Sequence, residues 1–124
     1  MTKKTIIILL ICLAVVAGTI LIFNKIKISS SDADIVIFYS DNCSHCLNVE
    51  NFLEENKVLE RVAYTRKSVD NNSANLFQLR EKALACNLFG DIGIPFLWDK
   101  QNSKCLVGDE DVINFFKEKL NINS

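Results

Sequence analysis

Cys43 and Cys46 stand three positions apart in the tetrad Cys43-Ser44-His45-Cys46. Two thiols at that spacing can close a small ring with each other. Thiol–disulfide exchange needs a thiolate that attacks, a second thiol that resolves the mixed disulfide, and exposure to a partner's sulfur. The tetrad supplies all three if it opens a helix, and the residues after it predict one. Over Ser44 to Asn56, Val49, Phe52 and Leu53 repeat at i, i+3, i+4, with Asn48, Glu50, Asn51, Glu54 and Glu55 on the other side. At the start of such a helix, unpaired N–H groups and the positive dipole end stabilise a Cys43 thiolate. They lower a free-thiol pKa of about 8.5 towards roughly 3.5 to 7.5. Cys43 is then the nucleophile, and Cys46, one turn deeper, is the more buried resolving thiol. His45 between them tunes the pair: protonated, it favours the thiolate, stabilises the dithiol and makes the disulfide a better oxidant.

The elements that must position this tetrad follow from the apolar pattern. Ile35-Val36-Ile37-Phe38-Tyr39 is a continuous β-branched and aromatic run, predicting a central strand buried on both faces. Val62 to Lys67 predicts a second strand, and Asp70 to Ser73 has turn and cap chemistry. Leu76, Leu79, Ala83 and Leu84 mark a second helix that Gly90 closes. The chain's one proline, Pro95, precedes Phe96-Leu97-Trp98. A turn at Asp99 to Asn102 and a strand at Lys104 to Val107 complete a hairpin. Asp109-Glu110-Asp111 then begins a last helix with Val112, Ile113, Phe115, Phe116 and Leu120 on its buried face. Lys117 and Lys119 near its end suit the helix dipole. A strand–helix–strand unit implies a parallel pair, and the hairpin adds an antiparallel edge. The expected fold is α/β, a mixed four-stranded sheet flanked by three helices.

Ahead of this domain, residues 34–124, Ile6 to Phe23 run without a charge between Lys3-Lys4 and Lys25, Lys27. At 1.5 Å per residue such a helix covers about 27 Å, near the roughly 30 Å of a bilayer core. This predicts an N-terminal transmembrane anchor within residues 1–27, a linker over residues 28–33 and a single-pass protein. Its catalytic domain is expected outside the cytoplasm, on a weak positive-inside bias. A cleavable signal is the rival reading, but cleavage after Val15-Val16-Ala17 would leave an apolar stub from Gly18 to Phe23.

From Ala33 to Ser124 the chain has ten Lys and Arg against fourteen Asp and Glu. No basic patch marks a nucleic-acid partner. The five cysteines, Cys12, Cys43, Cys46, Cys86 and Cys105, are too widely spread for a stapled mini-protein. Cys86 and Cys105 read as small core residues in preference to a second disulfide. Half a zinc site is the usual alternative for one C-x2-C. Four ligands would here take Cys43, Cys46 and two of His45, Cys86 and Cys105, none in a second close pair. A copper or zinc binder or chaperone on the same fold is therefore the alternative to exchange chemistry.

Strand Ile35 to Tyr39, the tetrad opening a helix, Gly93-Ile94-Pro95 before a hairpin, and Gly108-Asp109 before the final helix together resemble the thioredoxin superfamily. The glutaredoxin-sized members are the nearest match, over about Asp34 to Leu120. The resemblance implies a thioredoxin-like fold and a cis Pro95 facing the cysteine pair. It also implies that Ile94 and Pro95 bind substrate, with the neighbouring backbone holding a peptide as an added strand. It departs from the family at Asn42, where an aromatic residue often precedes the first cysteine, and in its Ser-His middle dipeptide. A His before the second cysteine resembles the disulfide-forming and isomerising branches. The expected activity is therefore a protein thiol–disulfide oxidoreductase, oxidising or isomerising more than reducing. Its partners are protein dithiols and disulfides, a redox partner that recycles the pair and, through residues 6–23, a membrane. No bound cofactor is required.

Overall fold

Alternation along β1, Ile35–Tyr39, decides how the domain is layered. Successive strand side chains point to opposite faces, and Ile35, Val36, Ile37 and Phe38 are all buried. Both faces must therefore be covered by helices. The computed structural model describes residues 1–25 and 33–122, with side chains as far as residue 19 in the first stretch. The chain divides into two compact units, Met1–Ser31 and Asp32–Ser124.

In the second unit the sheet order is β2-β1-β3-β4. β1 runs parallel to β2 (Thr65–Ser68) and antiparallel to β3 (Phe96–Asp99), which forms a hairpin with β4 (Lys104–Val107). Three α-helices pack on the sheet: α2 (Ser44–Glu55), which the tetrad opens, α3 (Ser73–Ala85) and α4 (Asp109–Leu120). Ile35, Ile37 and Leu97 pack on Val49 and Leu53 of α2 and Val112, Phe115, Phe116 and Leu120 of α4. Val36, Phe38 and Phe96 pack on Leu79 and Ala83 of α3. α2 and α4 thus cover one face of the sheet and α3 the other. The sheet's two central strands hold the base of α2, and with it the tetrad.

The expected mixed sheet is present, with several boundaries moved. The second strand was expected at Val62 to Lys67 and runs Thr65–Ser68. Its pairing with β1 begins only at Val36 opposite Thr65, after a 3-10 turn at Val58–Glu60 has buried Val58. Val62 and Tyr64 still pack against the core, as side chains of a non-strand segment. α3 is capped at its start by the Asn72 side chain, which accepts from the Asn75 N–H at 3.0 Å. It ends well before Gly90. Asn87 takes the left-handed conformation (φ 58°), and the Leu88 N–H returns to the Ala83 carbonyl at 2.9 Å, a Schellman closure. Leu84, expected on the buried face, is 55% exposed, because α3 turns Leu79 and Ala83, with Leu76 partly, towards the sheet.

In the first unit, α1 runs Lys3–Lys25. The expected transmembrane element is overturned: among the described residues no helix is long and apolar enough to cross a membrane. The single-pass, anchored localisation rested on that span and loses its basis. Residues 20–23 of the expected span, as side chains, and residues 28–32 of the expected linker lie outside what is described.

Candidate functional site

The loop from β1 into α2 delivers Cys43 to the helix start. Ser40 Oγ accepts from the Asn42 N–H at 3.2 Å, and the Asp70 carboxylate accepts from the Asp41 N–H at 2.6 Å, tying this loop to the turn before α3. Cys43 is the N-cap of α2: its backbone is extended (φ −113°, ψ 114°), and its Sγ accepts the Cys46 N–H at 3.1 Å. A cysteine here takes the place of the usual Ser, Thr, Asp or Asn cap, so a helix-terminal donor points at sulfur. Cys43 is half-buried and Cys46 is 5% exposed. The two form a disulfide with their Cα atoms 5.2 Å apart. A cleft of about 160 Å³ opens beside the pair, between Tyr39, Asp41, Leu47 and Glu50. Glu50 is engaged by Arg66 at 2.6 Å, and the Arg66 guanidinium in turn lies over the Tyr39 ring.

The β3 approach brings the other expected residues to the same place. The Ile94–Pro95 peptide is cis, and the Ile94 carbonyl oxygen lies 3.8 Å from Cys43 Sγ. The Pro95 carbonyl accepts the Gly108 N–H at 2.9 Å, which ties this segment to the start of α4. Gly93 makes that approach possible, since a Cβ there would come within 2.8 Å of Val107 Cγ1.

His45 goes elsewhere. Among the described residues its hydrogen-bond partner is Asp109 of α4, Nδ1 to Oδ1 at 3.1 Å, and the side chain is largely exposed. The other Asp109 oxygen accepts from Asn48 Nδ2 at 2.7 Å. The Asn48 amide first, and His45 after it, hold the Asp109 carboxyl below the usual carboxylate range. Asn48, Asp70 and Asp109 were missed as site residues. Asn48 was read as a solvated helix position, Asp70 as turn chemistry and Asp109 as a dipole-suited helix start. One signal was available for Asn48: it lies three residues after His45, on the same helical face.

The remaining cysteines correct the sequence reading. Cys86, the C-cap of α3, and Cys105, on β4, form a second disulfide and are not inert core thiols. Both sulfurs proposed as further zinc ligands are therefore bonded to each other. Among the described residues no group of three or more His, Cys, Asp or Glu side chains is placed to hold a metal ion. No family model, no curated protein and no solved structure matches the chain.

Proposed function

We propose that the chain is a protein thiol–disulfide oxidoreductase of the thioredoxin superfamily, glutaredoxin-sized in its globular part, that forms or reshuffles disulfides through Cys43 and Cys46. The observation that carries this reading is the Cys43 sulfur: it caps a helix, accepts the Cys46 N–H, is bonded to the more buried Cys46, and lies beside the Ile94 carbonyl. A thiolate at that point faces oriented N–H donors and the positive end of the helix dipole, the arrangement that makes a cysteine both acidic and a good leaving group.

In the oxidising direction a substrate thiolate attacks Cys43 Sγ, the Cys43–Cys46 bond breaks, and Cys46 leaves as a thiolate. A second substrate thiolate then attacks the substrate sulfur of the mixed disulfide and expels Cys43. Two electrons and two protons pass from the substrate dithiol to the pair, and a partner disulfide must take them up again. Isomerisation uses the same sulfurs with no net transfer: Cys43 attacks a substrate disulfide, and a different substrate thiol displaces it. Ile94 and Pro95 form the wall against which an extended substrate segment lies during attack, with the Gly93–Ile94 backbone as its pairing edge.

The test uses the full chain in insulin-reduction and refolding-oxidation assays, beside Cys43→Ser. Activity in the native chain that disappears in the variant supports the reading. Turnover retained in Cys43→Ser, or none in the native chain, discards it.

A further inference from the structure

The second residue of α2 is turned away from the sulfur it was expected to tune. His45 and Asn48 are three positions apart on one helical face. Both reach the same carboxylate, Asp109, which α4 presents at its first position. A carboxylate accepts and does not donate, so His45 Nδ1 carries the proton in this contact. Glu110 and Asp111 share with Val107 and Gly108 the cleft that His45 lines, and of the three carboxylates there Asp109 is the one bonded to the imidazole. The imidazole is thereby given one direction, across to α4, while Cys43 takes its contacts from the Cys46 N–H and the Ile94 carbonyl.

We propose that Asp109, braced by Asn48, is a positioning residue that holds His45 against α4 and so limits the oxidising strength of the Cys43–Cys46 couple. The inference rests on the exchange function proposed above. An imidazolium free to turn towards the start of α2 would stabilise the Cys43 thiolate and hence the dithiol, making the disulfide more readily reduced. Paired with a carboxylate on the neighbouring helix, the same cation brings almost no net charge to that sulfur. Asp109 therefore acts through His45 and touches neither reacting sulfur.

The equilibrium with glutathione reads this directly. One glutathione thiolate attacks Cys43 Sγ and releases Cys46. A second attacks the glutathione sulfur of the mixed disulfide and releases Cys43, leaving oxidised glutathione and the protein dithiol. The full chain is equilibrated at pH 6, where an ordinary imidazole is mostly charged, and the dithiol fraction is read by alkylation and mass. Asp109→Asn is expected to shift the equilibrium constant about two- to fivefold towards the dithiol, the scale of an exposed ion pair. Asn48→Ala, which leaves α4 untouched, shifts it the same way by about twofold. In a His45→Gln background the Asp109→Asn shift falls away, as a double-mutant cycle requires if the two act together. A shift of equal size without His45 assigns the effect to the carboxylate's own charge and overturns the proposal, as does no shift or one towards the disulfide. A pair that exchanges normally in all variants leaves the proposed function intact while removing this inference. A pair that never equilibrates removes both.

Discussion

The chain carries the same covalent bond twice, in two settings. Cys43–Cys46 closes over a sequence separation of 3, at the start of a helix whose Cys46 N–H points at Cys43 Sγ; Cys86–Cys105 closes over 19 and joins the end of α3 to β4. A ring of four residues constrains the unfolded chain little, so the first bond is poorly suited to stabilising the fold. Its donors instead stabilise the thiolate that its breakage would release. The second bond has no helix start behind its sulfurs: Cys105 Sγ lies near the Lys82 carbonyl at 3.4 Å and Cys86 Sγ near that of Ser103 at 4.0 Å. Carbonyl oxygens stabilise no thiolate. Position relative to helix ends, and not the bond itself, separates the sulfur pair proposed to cycle from the one that joins two elements.

The largest effect that would break this contrast lies at the first pair. Cys43→Ser is expected to lower exchange at least about 100-fold, since the remaining thiol of the pair, Cys46, is buried. In the reducing direction Cys46→Ser leaves the attack of Cys43 on a substrate disulfide intact and removes the thiol that would expel the substrate, so a covalent adduct accumulates on a non-reducing gel with insulin; free insulin reduction in that variant would assign this step to another thiol. The double substitution Cys86→Ser with Cys105→Ser is expected to act on stability alone. Removing a bond that closes a loop of this length costs about 3 kcal/mol in the chain-entropy account. This is read as a lower denaturant midpoint with exchange changed less than about twofold. A comparable loss of exchange would erase the distinction drawn here.

The smallest effect sharpens it. Because the folded state holds the Asp109 carboxyl below its ordinary value of 3.8, the link from α4 to α2 contributes stability that is fully present above that value. It is lost as pH falls through the lowered folded one. The denaturation midpoints of the native chain and Asp109→Asn should therefore differ at pH 7 and converge as pH falls below the ordinary carboxylate range. A gap that widens on acidification would contradict the assigned contact.

Much of the scaffold is legible in local pattern. The run Ile35 to Tyr39 could only be a doubly buried strand, and it sits second in the sheet with helices on both faces. The i, i+3, i+4 spacing after Cys46 yields α2 to within one residue of its end. Edges that depend on partners were misread. Val62 to Tyr64 has strand composition, but the pairing of this segment with β1 starts only at Thr65, opposite Val36. Asn87, not Gly90, closes α3, because the last-turn carbonyls of Leu84 and Ala83 already accept the Asn87 and Leu88 N–H groups there. The apolar stretch beginning at Ile6 has anchor composition, yet the helix described there does not meet the length and apolarity of a span.

Spacing and residue type alone determined the Cys43–Cys46 pair and its placement at a helix start, because ring closure over three positions and helix termini are local properties. They could not determine that Cys86 meets Cys105, that Ile94 comes up to Cys43, or that His45 turns to Asp109 across 64 positions of chain. Each of those depends on which elements the two faces of the sheet bring side by side, and burial of the whole core, not any short stretch of residues, makes that choice.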